Sequence, residues 1–354
     1  MCWARGSQLY PKRQLSSPGG EVSAVWTDED LERVTVCPVC GDERLLSAYT
    51  DLTDLEEGVP GLWSMAGCVG CGSLLLDPRP TPAALPKAYG SYYTHQPPIA
   101  ENGVLEGRGL LKKIARAYIA RRYGIGMPGP AWMVPLAFFA WPLRQQLDYH
   151  LRHLPPGGGR LLDLGCGSGG FLKRAGDAGW DAVGVEPDPA AAGAARQSSQ
   201  VDVYESLDDV SGLFDVITMA HVVEHVHDPR SLLADCHSRL RPGGHLWLAT
   251  PNISGVGHRL YGDAWQPLET PRHLVMPSPL ALASLLRDVG FDEVHFLRRG
   301  RGSAKRLRAS SMRAAALGRR IWTVEPLALL VDLAASLSPY AAEELVVVAT
   351  RGAR

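Results

Sequence analysis

This 354-residue chain has almost no excess of charge of either sign. Its 36 Lys and Arg stand against 37 Asp and Glu, a formal net charge of −1. A protein that coats nucleic acid carries a strongly basic balance, so nucleic acid is not the expected partner. Long hydrophobic runs are missing too. The most apolar stretch, AWMVPLAFFAWPL (131–143), contains two prolines and falls short of the ~18 apolar residues that span a bilayer. The start, MCWARGSQLYPKRQ, has no apolar core of a signal peptide. The expectation is therefore a cytoplasmic protein, in which the seven cysteines do not form structural disulfides. No internal repeat is present, which argues against solenoids and propellers.

What the chain does contain divides into four stretches. Residues 1–32 are rich in Ser, Gly, Pro and charge and read as a disordered tail. Residues 33–95 form a compact region with two Cys-x-x-Cys pairs, and 96–142 a Gly- and Pro-broken connector. From 143 to 354 strand-like and helix-like segments alternate. The strand-like segments are RLLDLG, DAVGVEP, VDVYE, FDVITMA, HLWLATP, DEVHFLRR and EELVVVATR, with an insertion at about 300–342 before the last. This alternation predicts an α/β fold, a mostly parallel sheet with helices on both faces.

The stretch LLDLGCGSGG (161–170) places a glycine turn at the end of the first of these strands. Ligands of open parallel sheets bind beyond the carboxyl ends of the strands. Without Cβ atoms, a backbone can approach a ligand closely. The run fits two patterns. Gly165, Gly167 and Gly170 match a dinucleotide fingerprint. Asp163, Gly165, Gly167 and Gly169 match a loop for S-adenosylmethionine. Asp163 favours the second reading, because a carboxylate there repels a pyrophosphate and attracts an ammonium or sulfonium. Glu186, ending the next strand, suits the ribose of either nucleotide.

LDLGCGSGG, VGVEP, FDVITMAHVVEHVHDP and LRPGGHLWLATPN, in this order and followed by the last strand, resemble the motifs of class I S-adenosylmethionine-dependent methyltransferases. The resemblance implies a Rossmann-like seven-stranded sheet whose last strand is antiparallel. It also implies that Asp163, Gly165, Cys166, Gly167, Glu186 and Pro187 surround the methionine and ribose parts of the cofactor. Ser206 and Leu207 would meet its adenine, and Met219, Ala220 and His221 would end the fourth strand beside it.

CPVC and CVGC give the spacing C-x2-C-x27-C-x2-C through Cys37, Cys40, Cys68 and Cys71. Four thiolates in two tight pairs suit a closed, structural, tetrahedral Zn2+. Zinc ribbons often bind RNA, so an rRNA methyltransferase is a rival reading. Against it, this region carries Asp42, Glu43, Asp51, Asp54, Glu56 and Glu57, a surface that would repel phosphate. The region resembles the N-terminal four-cysteine modules of methyltransferases acting on glycans, sugars and antibiotic-type small molecules. A further alternative is a non-catalytic partner protein that binds the cofactor.

Methyl transfer to oxygen or carbon needs a base that titrates near neutrality, and histidine suits that task. In HVVEH, His225 is the first candidate, with Glu224 as its orienting partner and His221 as a second base or a packing surface for the adenosine. The equal alternative is that Glu224 and His225 only fix the turn. In ETPRHLVMPSP, Arg272 and His273 are candidates for substrate binding, and His273 also for acid–base work. Tyr92, Tyr93 and His95 are candidates for a substrate lid, and His258 and Tyr261 are weaker ones.

Two segments pair basic and apolar residues. LLKKIARAYIARRY (110–123) predicts an amphipathic helix with Leu111, Ile114, Ala115, Tyr118 and Ile119 on one face. Residues 298–320 hold nine Lys or Arg and no acid, and IWTVEPLALLVDLAASL follows. Such units suit a substrate lid, a homodimer contact or peripheral attachment to the inner face of a membrane. The expected partner is a small-molecule acceptor.

Overall fold

A computed structural model describes residues 26–89, 109–126, 129–319 and 324–353. Its N-terminal part contains β1 (Leu31–Glu32), β2 (Leu45–Leu52), β3 (Trp63–Cys68), β4 (Leu74–Leu76) and β5 (Arg79–Pro80). Helices α1 (Leu110–Tyr123), α2 (Val134–Phe139) and α3 (Trp141–His150) follow. The doubly wound part begins with β6 (Gly159–Leu164), α4 (Gly170–Asp177), β7 (Trp180–Val185), α5 (Pro189–Ser199) and β8 (Val203–Tyr204). It continues through β9 (Phe214–Ala220), α6 (Pro229–Arg239), β10 (Leu240–Pro251), α7 (Val256–Tyr261) and β11 (Val275–Met276). It ends with α8 (Pro279–Asp288), β12 (Glu293–Leu297), α9 (Ser303–Ala316), α10 (Val324–Leu337) and β13 (Glu344–Thr350).

Seven strands form one mixed sheet in the order β12-β13-β10-β9-β6-β7-β8. Neighbours from β10 to β8 pair in parallel, whereas β13 lies antiparallel between β10 and β12. Both faces are covered. Leu161, Phe171, Leu172 and Ala195 pack with α1 and α3 residues on one side, and Leu162, Ile217, Leu248, Leu282 and Val347 share the core on the other. Asp188, Asp228 and Ser278 cap α5, α6 and α8 with a proline in each first turn, the arrangement that starts a helix after a strand.

The smaller sheet has the order β11-β4-β3-β2. Its edge strand β11 comes from ETPRHLVMPSP, the segment of Arg272 and His273, so the four-cysteine region and the large sheet share one core. Residues 26–32, placed in the tail by composition, are folded. Trp26 packs edge-on against Trp63 and donates to Pro60 O at 2.9 Å, and β1 pairs with β5. Aromatic burial outweighed the polar composition around it.

Helix α1 buries Ile114, Ala115, Tyr118 and Ile119 as its periodicity predicts, but Leu111, in the first turn, is exposed. The insertion holds α9 and α10, with α10 packed on α3. Its outer face exposes Leu329, Leu330, Leu333 and Leu337. Among the described residues, no helix is long and apolar enough to cross a membrane.

Candidate active site at the carboxyl ends of the strands

The glycine loop turns directly off β6. Gly165 and Gly167 have φ of 66° and 53°, the left-handed region that glycine adopts without strain. A Cβ on Gly165 would lie 2.5 Å from Val222, whereas one on Gly167 would meet nothing within 4 Å. The loop is thus packed on one side and open at Gly167. Glu186 ends β7 nearly buried, with Oε2 accepting from Gly167 N at 2.9 Å and Oε1 from Asp188 N at 3.1 Å. Burial raises its pKa.

Several expected cofactor contacts differ in detail. Asp163 was expected to face the ligand. Instead its carboxylate is fully buried, paired with Arg152 and accepting from Thr218 Oγ1 at 2.9 Å. Burial raises its pKa against these partners. Its charge is answered from behind the loop, because α3 ends in a turn with Arg152 at φ 47° that directs the guanidinium inward. Met219 is fully buried, since alternate residues of β9 point into the core. Cys166 is nearly buried as well, so it can present only backbone. Pro187 is exposed, and Ala220, Ser206 and Leu207 are half-buried.

His221 stands at the end of β9 with φ 56°, an uncommon conformation for a side chain larger than glycine and one that concentrates at functional sites. Its amide donates to Ala249 O at 2.8 Å, which holds the turn on β10. Nδ1 lies 3.0 Å from Glu224 Oε1 and Nε2 lies 2.7 Å from Glu344 Oε1. The imidazole is 31% exposed, whereas both carboxylates are buried. Burial alone would lower its pKa, but the hydrogen bond and charge of Glu224 outweigh burial and raise it. In turn, against the cost of its own burial, His221 holds Glu224 down to about 2. Thr250 Oγ1 donates to Glu224 Oε2 at 3.0 Å.

Glu224 therefore serves His221, where His225 had been expected. In the turn Val223–His225, polar atoms of Glu224 and His225 lie within 4.8 Å of one another and of His273, but the two residues bond to different partners. Glu224 reaches back by three residues under the sheet, while His225 Nδ1 lies 2.9 Å from Tyr89 OH and 3.1 Å from Arg272 O. Burial and the neighbouring His273, 4.7 Å away ring to ring, push His225 down to about 4. His225 thus stays neutral when folded and binds a proton near its ordinary 6.5 when unfolded. Stability is expected to fall as pH drops from about 6.5 to about 4, because the unfolded state binds more protons in that window. Urea midpoints measured across this range should vary less with pH in His225→Gln than in the parent.

Arg272, expected to bind substrate, is fully buried. It forms a two-pronged pair with Asp54 at 2.7 and 3.0 Å and a contact with Glu269 at 3.4 Å. His273 is also buried, 2.7 Å from Pro267 O. Arg272 fixes the segment between α7 and β11 to the loop after β2, whereas His273 bonds within that segment and packs on His225. His258 lies 3.0 Å from Tyr49 OH in the same seam. Tyr92, Tyr93 and His95 lie outside the described residues.

The four cysteines converge. Cys37 Sγ is 3.7 Å from Cys71 Sγ, Cys40 Sγ is 3.5 Å from Cys68 Sγ, and all four sulfurs lie within 4.8 Å of one another. The two turns are built alike. Gly41 N donates to Cys37 O and Gly72 N to Cys68 O, each at 2.8 Å, with φ of 79° and 71° at the glycines. Sulfurs bound at ~2.3 Å around a tetrahedral zinc stand roughly 3.8 Å apart, so this set could hold such an ion. A cavity of about 300 Å³ between Arg122, Tyr123, Gly158 and Trp180 lies at the amino ends of β6 and β7, the wrong end for a ligand of an open sheet.

Strand order, glycine loop, the acid ending β7 and the polar cluster ending β9 together define a class I, S-adenosylmethionine-dependent methyltransferase. The family described as "Methyltransferase domain" matches residues 142–295. A ubiquinone biosynthesis O-methyltransferase of Xanthomonas axonopodis pv. citri is 32% identical over 161 residues, 41% of this chain and 67% of that protein. One from Acinetobacter baylyi is 31% identical over 123 residues, 31% of this chain and 51% of that protein. A solved S-adenosylmethionine-dependent methyltransferase from Mesorhizobium loti is 20% identical, covering 58% of this chain and 98% of that one, with a TM-score of 0.38. The chain belongs to the S-adenosylmethionine-dependent methyltransferases and is an enzyme of that family.

Proposed function

We propose that this enzyme methylates a hydroxyl oxygen of a small molecule, with His221 as the base and Glu224 as its orienting partner. The carrying observation is His221 itself. It sits in a strained turn at the end of β9, partly exposed, with one ring nitrogen fixed by a buried carboxylate. Relatives named as ubiquinone biosynthesis O-methyltransferases support transfer to oxygen.

The residues present fit the cofactor. The loop is open at Gly167, and Glu186 lies beside it with a carboxylate suited to ribose hydroxyls. When bound, S-adenosylmethionine supplies an electrophilic methyl group on sulfur. Gly165, Gly167 and Glu186 would hold it, with Asp163 and Arg152 bracing the loop from beneath. An acceptor hydroxyl taking the place of Glu344 at Nε2 of His221 would give its proton to that nitrogen, and the cofactor would supply the methyl group, its sulfur keeping the electron pair of the broken C–S bond. Glu224 keeps the ring oriented and stabilises the imidazolium that forms. Incubation with S-adenosylmethionine and a panel of phenolic, catecholic and aliphatic hydroxyl acceptors tests this reading by mass spectrometry. Products methylated on carbon or nitrogen alone would refute it.

Cys37, Cys40, Cys68 and Cys71 we assign to a structural zinc that ties the turn before β2 to the end of β3 within residues 26–89. Metal analysis should find about one zinc per chain. Chelation should lower the thermal midpoint and expose residues 26–89 to proteolysis, and a chain purified without metal but equally stable would count against it.

A further inference from the structure

We propose that the outer face of the hairpin α9–α10 seats the protein on an anionic lipid bilayer, with the leucines of α10 at the acyl boundary and the cations beside them among the headgroups. This surface stands apart from the reading of His221 as the base.

Leu329, Leu333 and Leu337 recur every four residues along α10, with Leu330 beside them, and all four are between 50% and 72% exposed. The opposite face of α10 already supplies the core with Val324, Ala328, Val331 and Ala335. Apolar side chains scattered singly on a surface need no partner, but a continuous stripe of them marks a contact. With 14 residues, α10 falls short of the ~20 that cross a bilayer. It suits a helix that lies in the interface.

The charge beside the leucines selects the occupant. Ser303 N donates to Asp332 Oδ1 at 3.1 Å, and Arg308 Nη2 to Glu325 Oε1 at 3.0 Å. The two helices therefore run antiparallel, and the edge of α9 bearing Lys305 and Arg308 lies along the leucine stripe. Arg298, Arg301 and Lys305 are exposed, and residues 298–320 contain no acid to answer them. The two acids of α10, Glu325 and Asp332, are already engaged. The whole chain carries a net charge of only −1, so the positive field is local to this hairpin. An anionic bilayer offers an apolar layer and negative charge together. A second copy of the hairpin would offer the same leucines but also the same cations, and like charges brought together oppose association.

The neighbouring surface has the same character. Helix α10 packs on α3, and the segment that leads into α3 exposes Trp132 at 67% and Phe139 at 80%. Tryptophan is enriched at the boundary between lipid and water. On its inner side, α9 carries Arg306 to Glu344, which meets His221. A bilayer against the outer side of the hairpin is thus one helix away from His221.

Flotation of the full-length protein with vesicles of phosphatidylcholine alone, or of phosphatidylcholine mixed with phosphatidylglycerol, tests this. Affinity for the mixed vesicles should be at least about tenfold higher and should fall as added salt screens the headgroups. Leu329→Gln/Leu333→Gln should weaken binding to mixed vesicles by at least about tenfold. Arg301→Gln/Lys305→Gln should remove the preference for phosphatidylglycerol. All four side chains are exposed, and an affinity for S-adenosylhomocysteine equal to the parent's shows that the fold is intact. Equal binding of both kinds of vesicle, no flotation, or flotation that either variant leaves unchanged would each overturn the inference. So would a dimer in sedimentation that the leucine variant dissolves, which assigns the stripe to a second copy.

Discussion

His221→Asn is expected to lower kcat for methyl transfer by about 10²- to 10⁴-fold, the usual worth of a general base, while S-adenosylhomocysteine binding changes little. Asparagine is the informative replacement because it tolerates the left-handed backbone that His221 adopts at φ 56°. Alanine would add strain and confuse a chemical loss with a structural one. Glu224→Gln should give a smaller loss of kcat and lower the apparent pKa of the acidic limb in kcat/KM, since Glu224 is what raises His221. His225→Gln should leave kcat within a few-fold, because the imidazole of His225 bonds to Tyr89 and Arg272 O and not to His221. If His225→Gln matched His221→Asn in its loss, the assignment of the base would be reversed.

Asp54→Ala should destabilise the protein by about 3–5 kcal/mol, the cost of leaving one member of a buried pair without its partner. The stranded group would be Arg272, whose side chain is 0% exposed. Glu269 at 3.4 Å offers it only partial compensation. The double variant Asp54→Leu/Arg272→Met removes both charges and should recover part of the loss, because apolar pairs of similar volume replace buried ion pairs at little cost, while the Glu56, Glu57 and Val59 amides still lose the carboxylate they donate to. Chemical denaturation of the three proteins measures this. Additive losses would mean that the two residues do not act as a pair. The single variant should also reduce kcat, because Leu274 N donates to Glu224 O at 2.7 Å and so ties the Arg272 segment to the turn bearing the orienting carboxylate.

The seven strands and their helices were legible because each is a short buried apolar run or an amphipathic helix bounded by its own punctuation. RLLDLG before a glycine turn, DPRSLL with its cap and proline, and PSPLALASLL with the same signals are local statements, and the fold obeys them. The pairing of CPVC with CVGC was legible for the same reason, since each knuckle is a local turn closed by its own glycine. HVVEH marked the turn that follows β9, but spacing could not show which histidine shares a carboxylate with which neighbour. That depends on the twist of three residues leaving a strand.

The partners that decide the site lie far apart in the chain. Arg152 answers Asp163 from the end of α3, Glu344 closes on His221 from the start of the last strand, and Asp54 meets Arg272 across 218 positions. The acids opening EELVVVAT offered a signal for Glu344, since a charge entering a buried strand needs a partner, but nothing local names that partner. What the sequence determined by itself was therefore the class of fold, the glycine loop at the end of β6 and the convergence of the four sulfurs, all of them written in contiguous motifs. The tertiary structure alone decided where the charges go, because a buried carboxylate or guanidinium is set by whatever opposite charge the fold brings within reach.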